Sequence, residues 1–324
     1  MVKLNHEAIL EKLAEHGMRS RSVQLDTEGE YLPTDVDWNN KDVVHRNHVH
    51  SLIEDVVCVI ERDLQASISF QKVLGVPFPL ILVHYDTEPN HQTHFVTVLA
   101  WTMVTEHEFI ALSPTRTRAV TTYTVAARPF WMLFWPVIRA LLRINHRKLM
   151  SEDSVLRERR GKLRSWGYTY KGDGAPRDIR DTIHIGANNV VLPDPPPDPP
   201  VFPSVALPEI GEGTWTYIGR NDHLGLKLTR EGRRVLAFVR MCPHEGADLD
   251  PVVLASGCQN CPWHGRKLLP AAVVDLDDPV PAADTEWHHL EVQEGRLHVT
   301  VTSVTGSRSA RRAPAGAVAA DGDD

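Results

Sequence analysis

Four residues near the C-terminal end have the types and spacing that bind iron or zinc. Cys242-Pro-His244 is followed, after sixteen intervening residues, by Cys261-Pro-Trp-His264-Gly, so each of two short segments offers one thiolate and one imidazole. Two thiolates can hold one iron and two imidazoles the other in a two-iron, two-sulfur cluster. The same four donors can also hold a tetrahedral structural zinc ion. Cys258, three residues before Cys261, could compete as a ligand. A free thiol more often serves as a small buried apolar residue, and both Cys258 and Cys58 are read that way.

A second group lies early in the chain, in Asp42-Val-Val-His45-Arg-Asn-His48-Val-His50. On a regular helix Asp42 and His45, three apart, share a face, whereas His50 must lie beyond the helix end to join them. The alternative reading is a solvated histidine-rich turn, since the chain has 17 histidines. His48 is the main rival to His50, and His84, His91 and His94 flank a Pro-Asn turn and read as surface residues.

These groups need elements to hold them. A chain of 324 residues accommodates two domains. Its net charge of -7 gives no basic excess for phosphate backbones, which sets nucleic acid aside. Three of four cysteines crowded together suit a metal site and a reducing cytoplasm better than disulfides. The charged N-terminus lacks the apolar core of an export signal, and the apolar run Pro129 to Leu142 is too short and too charged to span a membrane.

Leu192 to Pro203 is so rich in proline that it reads as a stiff extended spacer. The division is therefore residues 1–191, a linker at 192–204, a second domain at 205–303 and a disordered tail at 304–324. In the first domain His94 to Thr105 and Thr117 to Ala126 read as strands. Ser51 to Leu64 and Arg139 to Arg164 have helical spacing and charge pairs, with Pro129 and Pro136 keeping the second helix to their C-terminal side. That domain is α+β. Short strand-like runs at Trp215 to Arg220, Leu224 to Thr229, Arg234 to Arg240 and Leu297 to Val301 make the second a small β-sandwich or barrel.

CPHEGADL followed by CPWHGRKL resembles the two cluster-binding loops of the Rieske family over roughly Leu207 to Thr302. The resemblance implies a [2Fe-2S] cluster on Cys242, His244, Cys261 and His264. Glu245 departs from the family, many of whose oxygenases carry arginine there. The spacing Asp42-x-x-His45-x-x-x-x-His50 in turn resembles the iron motif of Rieske non-heme iron oxygenases. By that resemblance His45 and His50 bind a mononuclear Fe(II), and Asp42 bridges to the Rieske histidine of a neighbouring subunit. The carboxylate comes from a late helix, here Lys148 to Glu158, whose Glu-Asp-x-Val-Leu pattern nominates Asp153. Two imidazoles and one carboxylate leave positions open for dioxygen and substrate.

The implied protein has a helix-grip (START-like) catalytic domain followed by an all-β Rieske domain, the reverse of the usual family order. It would take electrons from a ferredoxin or ferredoxin reductase and use O2 to hydroxylate, desaturate or demethylate an apolar small molecule, as a trimer. The competing expectation is a non-catalytic Rieske electron carrier fused to an apolar-ligand-binding domain. The aromatic run from Pro129 suits core packing or a pocket mouth. The strip Arg139 to Lys171, with ten basic and three acidic residues, reads as a solvated helix face or a docking patch for an acidic donor.

Overall fold

The computed structural model describes residues 6–61, 64–73, 75–88, 90–98, 101–173, 186–192, 202–221, 223–277, 282–284 and 287–301. Most of the proline-rich linker and all of the tail lie outside these residues.

The N-terminal half runs α1 (His6–Glu15), β1 (Arg19–Gly29), α2 (Pro33–Lys41), α3 (Arg46–Val49), β2 (Ile53–Glu61), β3 (Leu64–Val73), β4 (Val76–Glu88), β5 (His91–Val98), β6 (Trp101–Ser113), β7 (Arg116–Ala127), α4 (Pro129–Met132) and α5 (Trp135–Ser165). The seven strands form one antiparallel sheet in the order β1-β7-β6-β5-β4-β3-β2. Its β1–β7 end packs on α4 and α5 through Val23, Val125, Ala127, Met132, Trp135 and Ile138. A long helix gripped by an antiparallel sheet is the arrangement expected for this half.

Two expectations for this half need correction. Ser51 to Leu64 is not helical, because β2 occupies Ile53–Glu61 and pairs with β3. The run Val56-Val57-Cys58-Val59-Ile60 is rich in β-branched residues, and an available sheet edge overrode the helical charge spacing. His94 to Thr105 is not one strand either: it spans the end of β5 and the start of β6, which pair with each other. α5 begins at Trp135, with Pro136 in its first turn, where no N–H is needed.

The short pair β8 (Thr169–Tyr170) and β9 (Val190–Val191) follows. The C-terminal half then contains β10 (Val205–Ala206), β11 (Thr216–Arg220), β12 (His223–Glu231), β13 (Arg234–Val239), β14 (Gln259–Asn260), β15 (Lys267–Leu268), β16 (Ala272–Asp275), β17 (Ala282–Asp284), β18 (His288–Gln293) and β19 (Arg296–Val301). Two four-stranded sheets, β10-β19-β18-β17 and β11-β12-β13-β16, enclose a core that includes Ile218, Leu226, Leu228, Val235, Leu290 and Leu297. Apart from one 3-10 turn at Leu207–Glu209, this half is all-β among the described residues.

Two apolar clusters join the halves. Trp38 and Leu156 pack with Cys242, Ala247, Leu249, Cys261 and Trp263, and Leu163, Tyr168 and Tyr170 pack with Leu224, Met241 and Trp287. No helix among the described residues is long and apolar enough to cross a membrane.

Candidate metal centres and cavity

The segments bearing Cys242 and Cys261 fold into matching turns. Gly246 N–H donates to Cys242 O at 2.9 Å, and Gly265 N–H donates to Cys261 O at 2.8 Å. Both glycines sit at positive φ, 85° and 63°, which glycine adopts without strain. Space demands them as well. A Cβ on Gly246 would lie 2.4 Å from Leu163 Cδ1, and one on Gly265 would lie 2.6 Å from His48 Cε1. The N-terminal half therefore presses directly onto both turns.

These turns bring Cys242, His244, Cys261 and His264 together, none more than 2% exposed. His244 Nδ1 and His264 Nδ1 are 3.2 Å apart. A hydrogen bond from Cys242, opposed by burial, draws the Cys261 thiol down to about 5, while the same bond and burial push Cys242 up. Two thiols and two imidazole Nδ1 atoms converging in an apolar enclosure fit a cluster with two sulfur and two nitrogen ligands. Cys258 is buried as expected, its Sγ–H donating to Ala255 O at 3.0 Å. Cys58 is exposed, contrary to expectation, because it lies near the sheet edge on β2.

The second group is assembled from three elements. α2 ends at Lys41, and its cap residue Asp42 is buried. His45 begins α3 as its N-cap and His50 follows α3 as its C-cap. Asp42, in extended backbone, shares no helix face with His45, contrary to the helical expectation, and it is the turn between α2 and α3 that brings them together. Asp153 comes from the middle of α5. His45 Nε2 lies 3.3 Å from His50 Nε2 and 3.4 Å from Asp153 Oδ1, and His50 Nε2 is 3.2 Å from the same oxygen. Metal bonds of about 2.1 Å at right angles put ligand atoms about 3 Å apart, so this triangle fits one face of an ion. Among the described residues Asp153 Oδ1 has no hydrogen-bond partner.

Neighbouring groups hold the three donors in place. Glu152 Oε2 lies 3.0 Å from His50 Nδ1. Arg157 donates to Asp153 Oδ2 at 3.2 Å and to Asn39 Oδ1 at 2.7 Å. Burial opposes ionisation of Asp153, but the Arg157 charge and the two histidines hold its carboxyl well below the usual range. His48 does not join this group; its ring packs on Gly265.

The two groups meet within one chain. His264 Nε2 is 2.5 Å from Asp42 Oδ2, and Asp42 Oδ2 is 3.7 Å from His45 Nδ1. Burial works against both charges. The pair nevertheless holds Asp42 down to about 2 and lifts His264 to about 10, through mutual charge and hydrogen bonding. The resemblance had placed this contact between subunits; here the two residues belong to the same polypeptide.

Glu245 also acquires a partner. It pairs with Arg160 of α5 and accepts from Asn189 Nδ2 at 2.8 Å. Arg160 donates on to Asp35 at 2.9 Å and lies over the rings of Trp38 and Tyr170. Arg159 reaches Gly246 O and Asn221 O. Arg157, Arg159, Arg160 and Arg164 therefore turn inward, and Arg159 and Arg160 fasten α5 to the C-terminal half, so the strip is not one solvated face. Arg139, Arg143 and Arg147 remain outward.

A cavity of about 190 Å³ opens beside the His45–His50–Asp153 triangle. Leu80, Leu82, Val96, Met103, Leu142 and Leu149 supply much of its wall. The aromatic run splits between roles: Met132 and Trp135 are buried, whereas Phe130, Leu133 and Phe134 are exposed. His84 and His94 also line the cavity. The surface expectation fails for His84, which is 1% exposed, and holds for His91, whose side chain is 45% exposed. Sequence reasoning missed His107 and His146 altogether. Period-2 alignment of His94 and His107 on neighbouring strands was the signal that could have found His107.

No family model matches the chain, and no curated protein matches it. Solved structures similar to parts of it include the Zhui aromatase/cyclase from Streptomyces sp. R1128, with TM-score 0.39 and 16% identity over 44% of this chain and 96% of that one. The di-domain ARO/CYC BexL from the BE-7585A biosynthetic pathway gives TM-score 0.39 and 14% identity over 43% of this chain. Dicamba monooxygenase bound to 3,6-dichlorosalicylic acid gives TM-score 0.36 and 13% identity over 49% of this chain. The matched part spans about half of the latter two, 50% and 53% of their lengths.

Proposed function

We propose that the chain is a Rieske-type non-heme iron oxygenase of inverted domain order, fed electrons by a ferredoxin and acting on an apolar small molecule. The observation that carries this reading is the contact of His264 with Asp42, which links a Cys2His2 group to a His2Asp group through one buried carboxylate. When bound, a [2Fe-2S] cluster on Cys242, His244, Cys261 and His264 would supply single electrons, and a mononuclear Fe(II) on His45, His50 and Asp153 would supply open positions for dioxygen.

The chain's own residues do the rest. His264 turns Nδ1 toward His244 and Nε2 toward Asp42, so one ring serves both groups. Asp42 lies between His264 and His45, and its burial keeps that path free of water. Glu152 accepts from His50 Nδ1–H, which fixes the tautomer with Nε2 as the free donor to a metal. Arg157 takes one oxygen of Asp153 and leaves Oδ1 directed at the histidines. The aliphatic wall supplies apolar contact for a substrate.

The test is iron and acid-labile sulfide per chain on anaerobically purified protein. The expected result is three irons and two sulfides, falling to two irons in His45→Ala and Asp153→Ala with an unchanged visible spectrum. Two irons and two sulfides in fully reconstituted wild type would instead indicate an electron carrier joined to a ligand-binding domain.

A further inference from the structure

Six histidines line the cavity, and the proposed iron site uses two of them. Three of the others form a row across the sheet. Alternate residues of a strand share a face, so β4 presents Leu80, Leu82 and His84, β5 presents His94 and Val96, and β6 presents Met103, Thr105 and His107. His84 and His94 are direct cross-strand partners. Ring centroids are 4.4 Å apart between His84 and His94, and 4.5 Å between His94 and His107. The wall is therefore aliphatic in one part and imidazole in the other.

The row is short of partners. Among the described residues neither ring nitrogen of His84 finds a hydrogen-bond partner, and Nε2 of His94 and of His107 finds none. The nearest acid to His84 Nε2 is Asp86, at 3.5 Å, while His107 Nδ1 pairs with Thr121 Oγ1 at 3.1 Å. Burying polar atoms without partners is unfavourable, and native proteins rarely retain them without a purpose. Burial, with Arg46 close by, keeps His84 and His94 uncharged. A neutral imidazole offers one donor and one acceptor, which complements hydroxyl and carbonyl oxygens better than a carboxylate.

We propose that His84, His94 and His107 form the polar recognition strip of the cavity, and that its ligand is a neutral single-ring molecule bearing hydroxyl or carbonyl oxygens. The size agrees, since a cavity of roughly 150 Å³ accepts benzene and this one measures about 190 Å³. The ring lies against Leu80, Leu82, Val96 and Met103 while its oxygens meet the imidazoles. Naming this ligand the substrate rests on the oxygenase reading; the recognition itself does not.

The experiment is calorimetric titration of the full-length protein with resorcinol, toluene and benzoate, before and after a chelator strips loosely held iron. Resorcinol is expected to bind at least about tenfold tighter than toluene and tighter than benzoate, because each satisfied buried polar group adds affinity. His94→Leu and His107→Leu should each shrink that preference while leaving toluene affinity in place. Equal binding of resorcinol and toluene, tightest binding of benzoate, no binding of any probe, or an unchanged preference in both variants overturns the proposal. Should the variants not fold, histidine ring nitrogen resonances of the stripped wild type decide: they should shift with resorcinol, and unmoved rings overturn the proposal. Two irons per chain with an intact resorcinol preference would remove the oxygenase reading and leave the recognition strip standing.

Discussion

His264 Nε2 lies 2.5 Å from Asp42 Oδ2 across 222 residues of chain, and neither side chain is exposed. A buried ion pair is worth having only where its geometry is good and its other atoms are satisfied. Here the imidazole is turned by His244 on one side and by Asp42 on the other, so the pair fixes the orientation of the C-terminal half on the N-terminal half. The two donor groups thus meet within one chain, with no neighbouring subunit between them.

Asp42→Asn keeps the shape but removes the charge that orients His264. On the proposed oxygenase reading, iron and sulfide per chain should stay at wild-type levels while electron transfer between the groups slows about tenfold to a hundredfold, the scale on which loss of an outer-shell partner lowers activity. Rapid mixing of pre-reduced protein with oxygen, followed by visible absorbance, measures it. A wild-type rate would mean that electrons leave by another route.

Glu245→Ala strands Arg160, which keeps Asp35 but loses its only partner from the C-terminal half among the described contacts. Removing one member of a buried pair costs about 3–5 kcal/mol, and the shared link to Asp35 puts this case at the lower end. Chemical denaturation gives the value. Glu245→Arg should be worse, since it sets two cations together. Stability equal to wild type in Glu245→Arg would show that the two halves do not depend on this pair.

Gly265→Ala meets two obstacles, a positive φ and the ring of His48. The backbone part costs about 1–2 kcal/mol, and the clash adds to it. His48→Ala should relieve only the clash, so the double variant should be more stable than the sum of the singles implies. Strict additivity in denaturation would place His48 away from the turn in solution.

The histidine row makes stability depend on pH. Burial, then Arg46 and Lys41, lower His84 to about 3 from an ordinary 6.5. The unfolded chain therefore binds a proton between those values that the folded chain refuses. Its contribution is complete above pH 6.5 and is lost as pH falls toward 3, at about 1.4 kcal/mol per pH unit. Denaturation midpoints from pH 7.5 to 5 should fall, and His84→Leu should flatten the slope by about that amount. An unchanged slope would mean that His84 is solvated or paired.

Much of the candidate site was legible because its geometry is local. Cys-Pro-His and Cys-Pro-Trp-His-Gly each close on themselves through a bond to a glycine four residues from the cysteine, so their spacing carries their shape. Asp42, His45 and His50 fall near one another because all three lie within nine residues, but the i to i+3 helix rule does not place them: Asp42 caps α2 in extended backbone and His45 caps a separate helix. The pattern around Asp153 nominated the residue of α5 whose Oδ1 lies 3.4 Å from His45 Nε2 and 3.2 Å from His50 Nε2. Spacing misled where local preference competed with a partner strand, as at Ile53–Glu61.

The sequence by itself determined which donors exist and how they group within a turn or loop. Tertiary structure alone decided that Asp42 meets His264 in the same chain, that Glu245 meets Arg160, and that three histidines from three strands align over one cavity. The physical reason is distance along the chain. Backbone dihedrals and short hydrogen bonds fix neighbours within a few residues, whereas partners dozens to hundreds of residues apart are chosen by which packing buries Trp38, Leu163 and Trp263 most completely.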